Sequence, residues 1–199
     1  MDNIVKSASA ISQQKSKKKE LKVVPIYSRS LLTKTINVSI LMIGKNIRET
    51  IQEIITTNFE GKCLVEGYIK KGSTKIITYS SGLIERGTNI SFEVVFECEI
   101  CFPVEGILLS CVAKNITKAG IRAESATETP SPVVIFIARD HHFNNKLFSE
   151  IKEEDIFNVK VIGQRFELND KYVSIIAELV TPKRTDIKGQ AQPRIEFEE

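Results

Sequence analysis

Ile90-Ser91-Phe92-Glu93-Val94-Val95-Phe96-Glu97-Cys98-Glu99-Ile100-Cys101-Phe102-Pro103-Val104-Glu105-Gly106-Ile107-Leu108-Leu109-Ser110-Cys111-Val112 is the stretch that decides the fold. Its first half alternates, so Ile90, Phe92, Val94, Phe96, Cys98, Ile100 and Phe102 line one face of a long strand. Proline cannot donate to a sheet ladder, so Pro103 marks where one strand hands over to the next. A new unit opens at Val104 and runs on through Lys114 to Gly120-Ile121. The chain reads as two small β-rich units joined at a nearly loopless seam.

Working back from the seam, the first unit spans about 25–102. Thr35 to Ile40 alternates and reads as a strand. A helix follows from about Lys45 to Asn58, because Ile43, Ile47, Ile51, Ile54, Ile55 and Phe59 fall on one helical face. Gly61 is placed to end it. Lys62 to Lys70 reads as one strand with Cys63, Val65 and Ile69 on the same face, Lys71-Gly72-Ser73 as a hairpin turn, and Thr74 to Tyr79 as the return. Ser80-Ser81-Gly82 breaks the chain before the long strand. The result is a sheet with one covering helix, an α+β layer pair.

Forward from the seam, residues 103–182 are nearly all β. Val104–Lys114, Ile121–Glu124, Val133–Ala138, Phe157–Phe166 and Tyr172–Val180 are strand candidates, the last two forming a hairpin across Asn169-Asp170. Short strands at this density, with a helical insert near Asn144–Glu150, predict a five-stranded OB-type barrel. Residues 1–24 and 183–199 read as polar tails, the first with a lysine cluster at Lys15, Lys17, Lys18 and Lys19 that fits a solvated tail, a nuclear-targeting signal or a phosphate-binding arm.

The chain has 199 residues, 42% hydrophobic and 27% charged, with a net charge of +3. That balance is ordinary for a globular protein and too mild to argue nucleic-acid binding by itself. No apolar run reaches the ~18 residues that cross a bilayer, and the N-terminus has no signal-peptide core. An intracellular location with no membrane association is the expectation. Cys63, Cys98, Cys101 and Cys111 are then expected to be reduced. Cys98 and Cys101 have metal-ligand spacing, but residues three apart on a strand point to opposite faces, and no second pair exists. No metal or other cofactor is expected.

Gly44-Lys45-Asn46-Ile47 at the helix start, Glu60-Gly61-Lys62-Cys63 after it, Gly67-Tyr68-Ile69 in the next strand, and Pro103-Val104-Glu105-Gly106 at the seam form a set. In that order they resemble the stalk subunit of cellular RNA polymerases, the eukaryotic seventh subunit and its archaeal counterpart. The resemblance covers roughly residues 30–180. The divergent wording, lysine-rich tail and heavy Ile, Asn and Lys usage look like versions carried by large cytoplasmic DNA viruses, which would place the protein in virion and host cytoplasm; a cellular version would be nuclear. The resemblance implies a truncated RNP-like first unit (25–102) that docks on the large polymerase core subunits beside the clamp. It implies a small helical partner subunit, and an OB barrel (103–182) that touches nascent single-stranded RNA. The role implied is non-catalytic. A free-standing OB-fold RNA-binding adaptor of translation or RNA decay is the alternative.

Single-stranded RNA is held by basic grooves and aromatic stacking platforms. Lys114, Lys118, Arg122, Arg139, Lys160, Arg165 and Lys171 are the candidate cations; His141, His142 and Phe143 are the candidate platforms. OB domains of the ribosomal-protein S-one type often carry an aromatic after the glycine of the second strand. Here Gly120 is followed by Ile121, so weak binding with little sequence preference is expected. For the core contact the resemblance points to Lys70, Lys71, Gly72 and Ser73 and to Ser80, Ser81 and Gly82. For the partner subunit it points to Glu93, Glu97 and Glu99, which together with Cys101 are read as the outward face of the long strand. Those acids need either a basic partner or cations from neighbouring strands. Asp140, His141 and His142 do not read as a catalytic group, because adjacent histidines on an extended chain diverge and the chain has no third; Asp140 is placed to cap the helical insert.

Overall fold

The structure is a computed structural model that describes residues 23–84, 87–142 and 145–180. The N-terminal lysine cluster, nearly all of the two tails and Phe143 lie outside the described residues.

Strand β1 (Ser28–Ser39) runs antiparallel to the long central strand over its whole length, from Ser28 opposite Ile100 to Ser39 opposite Asn89. On the other side of that central strand lie three short partners in succession. These are β3 (Gly67–Ile69) near the seam, β4 (Lys75–Tyr79) in the middle and β5 (Leu83–Ile84) at the far end. Strand β2 (Cys63–Leu64) pairs outside β3, and the central strand itself is β6 (Asn89–Cys101). Helix α1 (Ile47–Phe59) covers one face. Ile51 and Ile55 are fully buried there in one core with Leu32, Ile36, Val38, Ile76, Phe92, Val94, Phe96 and Cys98, and Phe59 stacks on Phe96 at 6.0 Å. Each such isoleucine contributes roughly 1.5–3 kcal/mol by leaving water. The chain leaves the helix through Gly61, whose φ of +71° suits glycine.

Beyond the seam, β7 (Leu108–Ile116), β8 (Gly120–Ser125), β9 (Val133–Ala138), β10 (Ile156–Arg165) and β11 (Val173–Leu179) close a barrel in the order β10-β11-β9-β8-β7. Strands β9 and β11 are parallel; the other pairs are antiparallel. A short helix, α2 (Lys146–Glu150), sits between β9 and β10. The interior mixes Ile121, Ile135, Ile137 and Ile175 with Ala113, Ala123 and Ala177. Small residues facing large ones is what a barrel this narrow requires.

Four readings are corrected. Lys62 to Lys70 is not one strand: Val65 and Glu66 turn between β2 and β3, leaving Val65 74% exposed. The strand after the seam starts at Leu108, because Gly106 (φ +87°) turns the chain. Phe102 does not continue the alternation of β6 but leaves the strand and packs edge-on against Phe166 of the barrel at 6.0 Å. Cys101 does not face outward; it is fully buried, on the side opposite Cys98. Cys98 belongs to the core under the helix, whereas Cys101 joins Cys63, Tyr68 and Ile26 in the core that continues into the barrel. No metal-binding group of side chains occurs among the described residues.

Candidate functional site

The seam is stitched by backbone. The Cys63 N–H donates to the Asp170 carbonyl at 2.8 Å, and the Asn169 N–H donates to the Cys63 carbonyl at 2.9 Å. This joins β2 to the β10–β11 turn. On the same edge of β6, just past β3, Lys70 bridges Glu99 of the sheet (3.2 Å) and Glu128 of the barrel's β8–β9 loop (3.5 Å), and its ammonium lies 4.6 Å from the Tyr27 ring centre. The hydrogen bond to Glu99 leads in raising the Lys70 pKa above the ordinary lysine value, which holds the bridge charged.

The candidate RNA cations separate into two sets. Lys114 pairs with Glu154 at 3.0 Å, Lys160 with Glu178 at 3.0 Å and Arg165 with Glu167 at 3.4 Å. Lys118, Arg122 and Lys171 have no ion pair among the described residues. Lys171 stands apart, in the β10–β11 turn beside the seam. Lys118 and Arg122 lie together at the β7–β8 turn and on β8. Arg139 joins them: its N–H donates to the Ala119 carbonyl at 3.0 Å and its guanidinium to the Thr117 carbonyl at 3.3 Å.

Directly opposite Arg122 in the β8–β9 register stands Phe136, 39% exposed, with Ile176 of β11 next to it on the same outer face. This aromatic platform went unrecognised in the sequence, because Phe136 sits inside the apolar run Val133–Ala138. The period-2 pattern was the available signal: Val133, Ile135 and Ile137 face in, so Phe136 faces out. A Cβ on Gly120 would lie 2.3 Å from the Ile137 carbonyl oxygen and 3.1 Å from the Phe136 ring, so glycine leaves the room that ring needs beside β8. Ile121 is fully buried inside the barrel. An aromatic there would point inward, and its absence removes no outer platform.

His141 is exposed, but His142 is only 8% exposed and offers no stacking face. The Leu179 N–H donates to its Nε2 at 2.8 Å, which makes Nδ1 the protonated nitrogen, donating to the Ala138 carbonyl at 2.9 Å. The ring stacks on Phe148 at 5.3 Å. Among the described residues Asp140 makes no capping bond to the helical insert; Asn145 caps α2, its Oδ1 accepting from the Leu147 N–H at 3.1 Å.

The two segments read as core-docking positions do not meet. Lys70–Ser73 lies at the seam end, its turn held by Glu60, whose carboxylate accepts from the Gly72 N–H at 2.6 Å and from both the N–H and hydroxyl of Thr74. Ser80–Gly82 lies further along β6, where the Ser80 N–H donates to the Glu93 carbonyl at 2.9 Å. Past it, at the end of the sheet remote from the barrel, is an apolar tip absent from the sequence reading. Ile40, Leu41 (91% exposed), Met42 and Ile43 follow β1, Leu83 and Ile84 (79% exposed) form β5, and the Ile40 N–H donates to the Thr88 carbonyl at 2.8 Å. Four consecutive apolar residues between a strand and a helix were the visible signal.

Of the acids assigned to a partner subunit, Glu97 pairs with Arg29 of β1 at 3.1 Å and Glu99 with Lys70, while Glu93 is exposed. Cations from neighbouring strands therefore cover two of the three. Burial pushes all four thiols up, Cys63 and Cys98 to about 11 and Cys101 and Cys111 to about 12, which leaves them unreactive near neutrality.

No protein-family model matches the chain. A protein of Acanthamoeba polyphaga mimivirus named as a DNA-directed RNA polymerase subunit is 27% identical over 161 residues, covering 73% of this chain and 77% of that protein. DNA-directed RNA polymerase II subunit 7 of Arabidopsis thaliana is 30% identical over 97 residues, 48% of this chain and 52% of that protein. Its Glycine max counterpart is 29% identical over 96 residues, with the same coverage. The chain thus spans about half the length of the plant relatives it matches and most of the viral one. By these matches it is a relative of DNA-directed RNA polymerase subunits, of the subunit 7 type in plants and of a viral one.

Proposed function

We propose that this chain is a non-catalytic stalk subunit of a multisubunit DNA-dependent RNA polymerase. The observation that carries the reading is the match to a viral polymerase subunit across 161 residues, a length that must draw on both the helix-covered sheet and the closed barrel. The sheet, residues 25–102, acts as the docking unit, and the barrel, residues 103–182 and of OB type, as the unit that contacts emerging RNA. A small helical partner binds along the seam.

Docking runs through the apolar tip. Ile40–Ile43 with Leu83 and Ile84 are exposed apolar residues at the same end of β6, the kind of surface that marks a protein contact. RNA runs over the outer face of β8 and β9, where Phe136 stacks a base and Arg122, Lys118 and Arg139 meet phosphates. The deciding test is ultraviolet crosslinking of RNA in transcribing complexes. Crosslinks at Phe136 and neighbouring β8–β9 peptides are the expected result; crosslinks confined to β10, or none on this chain, would remove the barrel from the transcript's path.

A further inference from the structure

Beside α2 the barrel carries an apolar groove that the proposed function does not use. Leu147 and Ile151 of the α2 side, Ile156 and Phe157 of β10, and Leu179 and Val180 at the end of β11 line a space of about 320 Å³. Ile156, 71% exposed, is the most exposed apolar residue lining it. The groove is preformed, because His142 holds its α2 and β11 sides together. The ring takes the Leu179 N–H on one nitrogen, donates to Ala138 from the other, and stacks on the buried Phe148 of α2. Separating α2 from β11 would lose the His142–Phe148 stack or the His142–Leu179 hydrogen bond.

Among the described residues, the charged ones lining the groove are Glu150 and Asp155, and no lysine or arginine lines it. Asp155 accepts the Lys152 N–H at 2.7 Å and keeps further lone pairs free. An apolar trough with an acidic rim complements a protein segment with aliphatic side chains on one side and Lys or Arg flanking them. Nucleic acid fits poorly, since its phosphates would face two carboxylates.

We propose that this groove docks a basic amphipathic helix of a partner protein, aliphatic side chains against Ile156 and Leu147, cations toward Glu150 and Asp155. The test titrates the full chain with a fluorescent synthetic helix carrying leucines on one face and lysines on the other, read by anisotropy. Saturable binding is expected. Ile156→Glu should weaken it about tenfold or more, the loss of one exposed apolar anchor, and Arg122→Ala should leave it unchanged. A peptide with the same leucine face but glutamates for lysines should also bind about tenfold more weakly, the scale of a charge mismatch. Ile156 is exposed, so the variant should keep its thermal midpoint, and that measurement accompanies the titration. Equal affinity of the two peptides, or full affinity in Ile156→Glu, would overturn the proposal. So would tighter binding in Lys183→Glu with Arg184→Glu, which would assign the groove to the chain's own C-terminal residues.

Discussion

Cys63 of the sheet and Asp170 of the barrel are joined through their backbones at 2.8 Å, and the return bond from Asn169 to Cys63 makes the pairing reciprocal. The seam is thereby a continuation of hydrogen-bonded structure rather than a linker. Gly67 sits under it with φ +127°, and a Cβ there would lie 2.7 Å from the Cys101 carbonyl oxygen. Gly67→Ala is expected to destabilise the fold by about 1–3 kcal/mol, from backbone strain and steric conflict together. Denaturant unfolding checks it; an unchanged midpoint would mean that the seam tolerates a side chain there.

The two adjacent histidines should behave oppositely. His142→Ala leaves the buried Leu179 N–H and the Ala138 carbonyl without partners, and is expected to cost about 2–4 kcal/mol. His141→Ala should stay within about 0.5 kcal/mol, as surface changes do. Thermal unfolding of the pair gives the answer.

Acid should loosen the Lys34–Glu66 contact. Burial works to raise the Glu66 carboxyl, but the hydrogen bond and charge of Lys34 at 2.7 Å outweigh it, so the group titrates below the ordinary glutamate value. A carboxylate depressed in the folded state adds stability above its unfolded pKa, and that stability is lost as pH falls through the folded value. Glu66→Gln should therefore flatten the acid limb of the stability profile and leave its shape above pH ~6 unchanged. Superimposable acid limbs would contradict this.

The thiols should be silent. With all four cysteines buried and their thiols pushed up to about 11 or 12, an aromatic disulfide reagent near pH 8 should titrate none in the native protein and all four after unfolding. A fast-reacting native thiol would point to opening at the seam, where Cys63 and Cys101 lie.

Phe136→Ala should weaken single-stranded RNA binding by about 1–3 kcal/mol, the range of one base stack. Arg122→Ala should instead reduce the salt dependence by about 0.7 in log–log slope, one phosphate contact. A slope unchanged in Arg122→Ala would move the RNA path elsewhere.

What the sequence disclosed followed from how strictly each segment kept a period. β6 was legible because Phe92, Val94, Phe96, Cys98 and Ile100 alternate without a break and all face the helix. β1 was read short because its N-terminal half mixes exposed Leu31 with Arg29 and Ser30, and Lys34 stands among its inward positions. Val65 fitted a strand register and yet lies in a turn, since Gly67 reverses the chain two residues later. The platform was misplaced for a related reason. His142 is polar and looked exposed, while Phe136 is apolar and looked buried; tertiary hydrogen bonds and strand register set each the other way.

Affinity purification of the tagged chain from its native source, followed by mass spectrometry, decides whether it serves a polymerase. Two very large RNA polymerase subunits and a small helical chain are expected in the eluate, with Leu41→Asp and Ile84→Asp together releasing the large subunits. Ribosomal or RNA-decay proteins without polymerase would contradict that role and make the chain a free-standing RNA-binding adaptor.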